Sequence, residues 1–343
     1  MYPAITTTYW VINDDGTLAD TDCVVELPGG SVASADTAVA IETPVCDGID
    51  DLRTAFTEQL RTAVEAAHEM DCRLVSLGVR PDLLHRQPPT TAGSTLTAGS
   101  QFSIETDPDR AVDQYNTLMA LDPAFALVNT VSCRNQARQY ACGRAFLCRE
   151  QTGLDHRHQQ QLYTYAKRTD SWASQFGDRV EAGGQSAFRR AHDTRQATDS
   201  QRTEPGYWSP VEFSADKRRL TWNSPDATTP TALFQLVSDV TSVLQRATAQ
   251  PIEVSAFGNG CCAGRVILPS ADWLSTYREE ALRKGTDSLL VRAYLERFCF
   301  DTAWYRESTP APTIGSLTAA AAAAHCRELA AQLEAEIGLI AAN

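Results

Sequence analysis

Residues 38–79 decide the fold class and read AVAIETPVCDGIDDLRTAFTEQLRTAVEAAHEMDCRLVSLGV. The segments Ala38–Val45 and Cys72–Val79 are short and rich in apolar and β-branched residues, which predicts two strands. Between them, apolar residues recur at spacings of three and four, which predicts a helix from about Asp50 to Met70 with Asp47 as its N-cap. The predicted buried stripe is Leu52, Phe56, Leu60, Val64 and Ala67. One face of this helix therefore packs against a sheet.

The alternation of strand and helix continues on both sides of this unit. Thr7–Asn13 is β-branched and aromatic, and the turn residues Asp14-Asp15-Gly16 end it, which predicts another strand. Further strands are predicted at Gln101–Thr106, Leu220–Asn223 and Ile252–Phe257, and further helices at Arg110–Pro123, Ala124–Val131, Thr231–Gln245, Ala271–Lys284, Ser288–Phe298 and from Ala319 onward. No Gly-rich phosphate loop follows a strand, so a doubly wound nucleotide-binding sheet lacks its motif. Helices on one face of an antiparallel sheet fit the pattern equally well.

The length of 343 residues and the continuous alternation predict one large domain over residues 1–305. Residues 151–205 are rich in Gln, Arg, Asp and Ser with weak periodicity, and we expect a polar helical insertion there. A Pro-rich spacer and an Ala-rich helix over residues 306–343 are expected to pack on the domain. The packing stripe of that helix is Leu329, Leu333 and Ile337.

The charge and hydropathy patterns restrict the partners and the location. The net charge is −13, and the lysines are Lys167, Lys217 and Lys284. Affinity for nucleic acid depends mostly on Lys and Arg that displace counterions, so nucleic acid is not expected. No run of about 18 apolar residues could span a membrane, and the first residues lack a basic segment followed by an apolar one. We therefore expect a cytoplasmic protein without a membrane partner.

The cysteines and histidines do not form a convincing metal-binding pattern. The ten cysteines contain no CxxC pair, so most are expected to be reduced core residues. His156 and His158 beside Asp155 look like a metal cluster, but alternate residues share a side only on a strand, and this Gln-rich segment is expected to be an exposed helix. The other histidines, His68 among them, are not expected to have close partners.

Several segments, taken in order, carry a resemblance to a known family. They are TTTYWVINDDG at 6–16, AIETPVC at 40–46, GVRP at 78–81, AGSQFS at 98–103, NTLMALDPAFALVN at 116–129, GRA at 143–145 and RRLTWNSP at 218–225. The stretch at 116–129 is the best preserved. Together these segments resemble the glutamate-cysteine-ligase-like (GCS2-type) carboxylate-amine ligases, which are unrelated to the ATP-grasp enzymes.

The positions at which that family keeps metal-binding carboxylates and histidines hold other residues in this chain. The Glu-x-Glu of the first strand corresponds to Thr6 and Thr8, and the glutamate of the second strand corresponds to Ala40. The two histidines of the Gly-x-His-Val-His strand correspond to Gln101 and Ser103. The other replaced positions are Arg80, Thr221 and Asn223, while Asp226 is retained and Arg144 and Arg149 match basic positions.

The resemblance implies an α+β, glutamine-synthetase-like architecture, with a curved, mainly antiparallel sheet that has helices on one face and a concave pocket on the other. For active members it implies transfer of the ATP γ-phosphate to a carboxylate with magnesium, then attack of an amine on the acyl phosphate. Thr, Ala, Gln and Ser cannot replace anionic ligands. We therefore expect a catalytically inactive binding or regulatory protein without a cofactor, whose partner is an active ligase paralogue or a second copy of the chain.

The resemblance leaves open an enzymatic function and a residual role in anion binding. If Glu42, Glu105 and Asp226 converge as displaced metal ligands, the chain is an ATP- and magnesium-dependent glutamate-cysteine-type ligase that forms a γ-glutamyl amide. The candidates for residual anion binding are Arg80, Arg144 and Arg149. For the last two, surface salt bridges are the alternative.

The acidic, lysine-poor composition also predicts a dependence on salt. Such a surface stays hydrated in a salt-rich cytosol, and removing the salt leaves the repulsion among its carboxylates unscreened. We expect the thermal midpoint to fall when the protein is moved from molar KCl to low-salt buffer, as measured by circular dichroism. A midpoint that is equal or higher in low salt contradicts a halophilic source.

Overall fold

The computed structural model describes residues 1–19, 31–32, 37–88, 96–107, 109–151, 165–166, 209–214, 218–262, 264–307 and 311–340. The predicted polar insertion at 151–205 lies almost wholly outside these residues, and the predicted cluster of His156 and His158 lies outside them entirely. Within the described residues, no helix combines the length and apolar character that a membrane span requires.

The elements of the described residues largely follow the predicted alternation. The strands are β1 (Pro3–Asn13), β2 (Ser31–Val32), β3 (Ala38–Glu42), β4 (Cys72–Val75), β5 (Ser100–Glu105), β6 (Cys133–Asn135), β7 (Arg138–Tyr140), β8 (Val211–Ser214), β9 (Arg219–Trp222), β10 (Ile252–Ser255), β11 (Gly260–Cys262) and β12 (Arg265–Pro269). The helices are α1 (Ile49–Glu69), α2 (Ala111–Leu121), α3 (Gly143–Gln151), α4 (Pro230–Ala249), α5 (Ala271–Lys284), α6 (Leu289–Arg297) and α7 (Ala319–Ile340). The segment predicted as a helix at Ala124–Val131 belongs to a 3₁₀ turn over Asp122–Val128 instead.

A seven-stranded sheet organises the described part of the chain. Its order is β2-β3-β1-β5-β9-β8, and β4 also pairs with β1. Every pairing in this sheet is antiparallel, which rules out a doubly wound parallel sheet and gives an α+β fold. Strand β1 is 11 residues long, so it pairs with β3 along Thr6–Trp10 and with β4 along Trp10–Asn13.

One side of this sheet packs on the long helices. In β5, Ser100, Phe102 and Ile104 are buried while Gln101 and Glu105 are exposed, as expected for a strand with one face in the core. The predicted stripe of α1 is buried, and α1 meets α4 where the rings of Phe56 and Phe234 lie 5.5 Å apart. The apolar residues Leu233, Leu236, Val237, Val240 and Leu244 of α4 recur at helical spacing and are buried too, so the sheet and these two helices share one core.

The start of α1 differs from the prediction. Its N-cap is Gly48, and no side chain caps the helix by a hydrogen bond, so Asp47 does not have the predicted role. Gly48 has φ 99°, a backbone conformation that favours glycine, and this N-cap lies one residue after the predicted Asp47.

Helix α7 packs near the β4 end of the sheet. Its residues Leu333 and Ile337 are buried, in agreement with the predicted stripe. Glu334 accepts from Arg73 of β4 at 2.7 Å and lies 2.9 Å from His68 Nε2 at the end of α1. The prediction that His68 has no close partner is therefore wrong, because its partner lies far away in sequence.

A buried ion pair joins the 3₁₀ segment Asp122–Val128 to α5. Asp122 and Arg278 are 1% and 9% exposed, and Asp122 Oδ2 accepts from Arg278 Nε at 2.8 Å and from Nη2 at 2.5 Å. The other carboxylate oxygen accepts from Trp222 Nε1 at 2.8 Å and from Ser224 Oγ. Both oxygens are thus hydrogen-bonded, which burial of a charge requires.

Removing the negative charge from this pair leaves a buried guanidinium without its counterion. We expect Asp122→Asn to lower the free energy of unfolding by about 3–5 kcal/mol. Glu253→Gln is the control, because its pair with Arg265 is about half exposed on both sides and contributes less than about 1 kcal/mol. Urea unfolding measures both variants, and equal losses would contradict the importance of the buried pair.

Candidate functional site

The strand register brings predicted site positions together on one side of the seven-stranded sheet. Thr6 lies opposite both Glu42 of β3 and Gln101 of β5, and Thr8 lies opposite Ala40 of β3. Residues directly opposite one another in an antiparallel pair point to the same side of the sheet, as do alternate residues along one strand. These positions therefore share one face, although the chain separates them by up to 95 residues.

The neighbouring strands extend the same face. Ser103 lies opposite Ala4 of β1 and Thr221 of β9, and Thr221 lies opposite Glu212 of β8. The hydroxyl oxygens of Ser103 and Thr221 are 2.9 Å apart, which is a hydrogen bond across the strands. We call this side the polar face, and the predicted site positions on it are Thr6, Thr8, Ala40, Gln101, Ser103 and Thr221.

The polar face offers hydrogen bonds and little charge at its centre. Thr6, Thr8, Ser103 and Thr221 are half-buried, and Gln101 is exposed. Hydroxyl and amide groups can donate and accept hydrogen bonds, but magnesium in proteins is held mainly through carboxylates and phosphates. These residues therefore do not fit the divalent metal that the family resemblance implies.

The carboxylates considered as displaced ligands do not meet at one point. Glu42 and Glu105 are exposed and share the polar face. Glu42 of β3 and Gln101 of β5 both lie opposite Thr6 of β1, and Glu105 lies four residues beyond Gln101 along β5. That separation is about 13 Å along the strand and about 10 Å across two strand spacings. Asp226 is 3% exposed and lies in the interior. The hypothesis that these three groups converge is wrong.

Asp226 is held by groups inside the protein. Its Oδ2 accepts from the backbone N–H and the hydroxyl of Thr130, both at 2.9 Å. A Cβ added at Gly78 would lie 2.4 Å from the same oxygen, so glycine is needed for this close approach. Burial raises the pKa of Asp226, although Arg144 and the Thr130 hydrogen bonds oppose the shift. The retained carboxylate of Asp226 is therefore engaged in hydrogen bonds within the protein.

Arg144 is buried and does not form the surface salt bridge that was one of its expected roles. It donates from Nη1 to the carbonyl oxygen of Ser224 at 2.8 Å and from Nη2 to that of Asn223 at 3.2 Å. Asn223 is itself buried and donates from Nδ2 to the Ser209 carbonyl oxygen at 3.0 Å. A Cβ at Gly99 would lie 2.1 Å from Arg144 Nη2, so this glycine makes room for the guanidinium.

The other two candidate anion-binding arginines contact carboxylates. Arg80 donates from Nε and Nη2 to the two oxygens of Asp82, each at 2.9 Å. Arg149 Nη1 lies 2.7 Å from Glu279 Oε2. An anion at either residue would have to compete with a carboxylate already in place, so neither arginine is preorganised for an incoming ligand.

The sequence analysis missed Glu212, which adds a carboxylate to the edge of the polar face. The residue is exposed overall, yet its carboxyl group is desolvated, which raises its pKa against the effect of a hydrogen bond from Asn223. The alternation Val211-Glu212-Phe213 is a strand signal that could have revealed it, but the strand is only four residues long. Short strands are difficult to distinguish from loops by periodicity.

Away from the six predicted positions, the described residues form a cavity but no cluster of metal ligands. No group of three or more His, Cys, Asp and Glu side chains is arranged to hold a metal ion there. A cavity of about 450 Å³ lies between the ends of β1 and β5 and the helices α2 and α4, where Tyr2, Glu105, Gln114 and Gln245 line it. It touches the polar face at Glu105 and contains none of the six predicted positions.

Comparison with known proteins finds distant structural similarity. No protein-family model matches the chain, and no curated protein matches it. A bifunctional glutathione synthetase from Pasteurella multocida is similar over 98% of this chain and 52% of its own, with 10% identity and a TM-score of 0.49. The complex of the prokaryotic ubiquitin-like protein Pup with its ligase PafA is similar over 98% and 63%, with 14% identity and a TM-score of 0.41.

A third solved structure, a novel glutamine synthase homolog, is similar over 96% of this chain and 70% of its own, with 12% identity and a TM-score of 0.36. This chain thus covers about half of the glutathione synthetase chain. Similarity at this distance assigns no family, and the α+β description rests on the observed strands and helices.

The raised pKa of Asp226 predicts an unusual pH dependence of stability. The folded state holds this proton at a higher pH than the unfolded chain, whose ordinary value is 3.8. The contribution of Asp226 to the free energy of unfolding is therefore greatest below 3.8 and falls as the pH rises through the raised value. Asp226→Asn cannot titrate but keeps an oxygen that can accept from Thr130.

Urea unfolding of both proteins between about pH 4 and about pH 7 measures this effect. We expect the stability of the wild type, relative to Asp226→Asn, to fall as the pH rises. Asp15→Asn is the control, because hydrogen bonds from Thr17 lower the pKa of the exposed Asp15 carboxylate, so its contribution is lost only as the pH falls below about 4 and changes little over this range. A relative stability that rises with pH for Asp226 would show that its carboxylate is stabilised in its charged form.

Proposed function

We propose that this protein is a noncatalytic binding or regulatory member of the glutamate-cysteine-ligase-like fold, with the polar face as its binding surface. One observation carries the proposal. The six positions at which the resemblance expects metal ligands lie on one face in continuous register, and all six hold neutral side chains. The six positions are adjacent, as the ligands of one site would be, but their side chains lack the negative charge that a metal site needs.

The chemistry of these side chains argues against phosphoryl transfer. That reaction needs divalent metal and basic groups to offset the charge of the transferred phosphate. Thr, Ser, Gln and Ala bring no negative charge to hold a metal ion, and Arg144 is engaged by two backbone carbonyls. A hydrogen-bonding surface without metal suits recognition of a neutral polar group better than activation of a carboxylate.

The partner proposed for this surface is an active ligase paralogue or a second copy of the chain. The face is half-buried to exposed at the hydroxyl and amide groups, so their hydrogen bonds are accessible. Cross-strand hydroxyl pairs such as Ser103 with Thr221 also keep the strands in register around it. Glutamine-synthetase-like curvature of the sheet, with the polar face on its concave side, belongs to the same proposal.

The rival proposal is an ATP-dependent carboxylate-amine ligase of the glutamate-cysteine type, with ATP and magnesium as its cofactors. Glu42, Glu105 and Glu212 on the polar face are the observation that favours it. Glu42 and Glu105 are separated by about 13 Å along the strands, so they cannot hold one ion together without a rearrangement of the sheet. The noncatalytic function is therefore preferred.

Calorimetric titration in high salt separates the two proposals. We expect neither ATP nor a nonhydrolysable analogue to bind in a magnesium-dependent manner, because the six predicted ligand positions hold neutral side chains and Glu42 and Glu105 are too far apart to hold one ion. Titration of each nucleotide with and without magnesium measures this. Magnesium-dependent binding would overturn the noncatalytic proposal and support the ligase.

Restoring charged ligands tests the location of the site independently. In the variant Thr6→Glu, Gln101→His, Ser103→His, the three new side chains share the polar face, so we expect it to bind Mn²⁺ more tightly than the wild type in the same calorimeter. Thr62→Glu on the exposed side of α1 is the control for added charge. Equal Mn²⁺ binding by both variants would contradict the assignment of these positions, whatever the result with ATP.

A further inference from the structure

Two thiol groups lie beside one guanidinium near a small three-stranded sheet of order β10-β12-β11. Arg246, in the last turn of α4, donates from Nη1 to Cys299 Sγ at 3.5 Å. The same side chain also hydrogen-bonds Cys261 of β11. Cys299 is exposed and Cys261 is half-buried, so both sulfurs are close to one cation and at least one is open to solvent.

A close backbone contact brings the two cysteines together. A Cβ at Gly260 would lie 2.5 Å from the carbonyl oxygen of Arg297, so only glycine allows β11 to approach the end of α6 this closely. Arg297 Nη1 also donates to Asn259 Oδ1 at 3.4 Å. Cys261 follows Gly260 directly and Cys299 follows Arg297 by two residues, so the contact holds both near Arg246.

Cys299 has a backbone conformation that favours glycine. Its φ is 70°, and its N–H donates to the Glu296 carbonyl oxygen at 2.9 Å where α6 ends. A side chain in this left-handed region is less favourable than glycine, which is the common residue at such a helix end. Cysteine at this position is therefore less stable than glycine would be. A role for its thiol would explain why a cysteine stands there.

The surroundings suit different roles for the two thiols. The thiolate is the reactive form of cysteine, and a neighbouring guanidinium offsets its negative charge. Cys299 is the more accessible sulfur, so it meets a solute oxidant first. Burial raises the pKa of Cys261, which keeps this second thiol protonated in the reduced protein, although Arg246 opposes the shift.

We propose that Cys299 and Cys261 form a peroxide-sensitive dithiol site, in which Cys299 is oxidised first and Cys261 resolves the product as a disulfide. The Cys299 thiolate attacks one oxygen of hydrogen peroxide, the O–O bond breaks, and with one proton the products are a sulfenic acid and water. The Cys261 thiol then attacks the Cys299 sulfur, forms the S–S bond and releases the hydroxyl as a second water. Two thiols lose two electrons, and one peroxide becomes two waters.

Cys262 provides a control within the same strand. It is exposed like Cys299, but it follows Cys261 directly and points to the opposite side of β11. Simple accessibility would make Cys262 as reactive as Cys299. Only the proposed site gives Cys299 a faster reaction and a specific link to Cys261.

The first experiment uses the full-length protein in native buffer. Treatment with hydrogen peroxide, alkylation of remaining thiols and trypsin digestion should yield a crosslink between the peptides of residues 247–265 and 298–306. Fragmentation identifies Cys261 rather than Cys262 as the partner of Cys299. Before any oxidation, brief alkylation should label Cys299 at least about threefold faster than Cys262, because Arg246 Nη1 lies 3.5 Å from the Cys299 sulfur.

Variants assign each role. Cys262→Ser should keep the crosslink, whereas Cys261→Ser should remove it and leave a sulfenic acid at Cys299 that dimedone traps. Arg246→Gln should slow the alkylation of Cys299 at least about threefold, and Arg246→Lys should restore most of the rate. Circular dichroism checks that each variant is folded.

Three results would overturn the proposal. They are a crosslink from Cys299 mainly to Cys262, a crosslink that forms only in denaturant, and equal alkylation rates for Cys299 and Cys262 in the wild type. The last comparison needs no variant, so it remains decisive if a substitution prevents folding. These readouts are independent of ATP and of the polar face.

Discussion

The packing of the seven-stranded sheet against α5 depends on the hydrogen bonds that the carboxylate of Asp122 accepts. It accepts from Arg278 of α5, from Trp222 of β9 and from Ser224 just beyond that strand. Burying two opposite charges costs several kcal/mol unless both are hydrogen-bonded, so all these donors must be in place at once. These hydrogen bonds fix the position of β9 against α5. They therefore also fix the position of Thr221, which precedes Trp222 in β9 and lies on the polar face.

A second set of buried polar contacts works in the same way beside the start of β5, where Gly99 and Asp226 form an antiparallel bridge. Asp226 accepts twice from Thr130, and Arg144 donates to the carbonyl oxygens that precede Asp226 in sequence. Gly78 and Gly99 leave the space that these side chains occupy. Asp226 and Arg144, which the family resemblance marked as functional, thus satisfy buried polar groups inside this protein. The six predicted positions on the polar face hold neutral side chains.

Much of the fold was predictable because it depends on local patterns. The stripes of α1 and α4 follow from helical spacing, and β5 follows from strict alternation between buried and exposed residues. The N-cap of α1 and the 3₁₀ segment Asp122–Val128 were not predicted correctly. Both depend on local backbone geometry, and the same sequence pattern is compatible with more than one such geometry. The partner of His68 lies 266 residues away in sequence, so no local pattern could reveal it.

By itself the sequence determined the acidic charge, the order of the longer helices and of six strands, and the identity of the residues at Thr6, Thr8, Ala40, Gln101, Ser103 and Thr221. Only the tertiary structure decided that these residues share a face, that Glu42 and Glu105 lie too far apart to hold one ion, and that Arg246 gathers two cysteines from separate elements. The physical reason is that strand register and helix packing are set by long-range contacts. A one-residue shift of register would send every side chain of a strand to the other face.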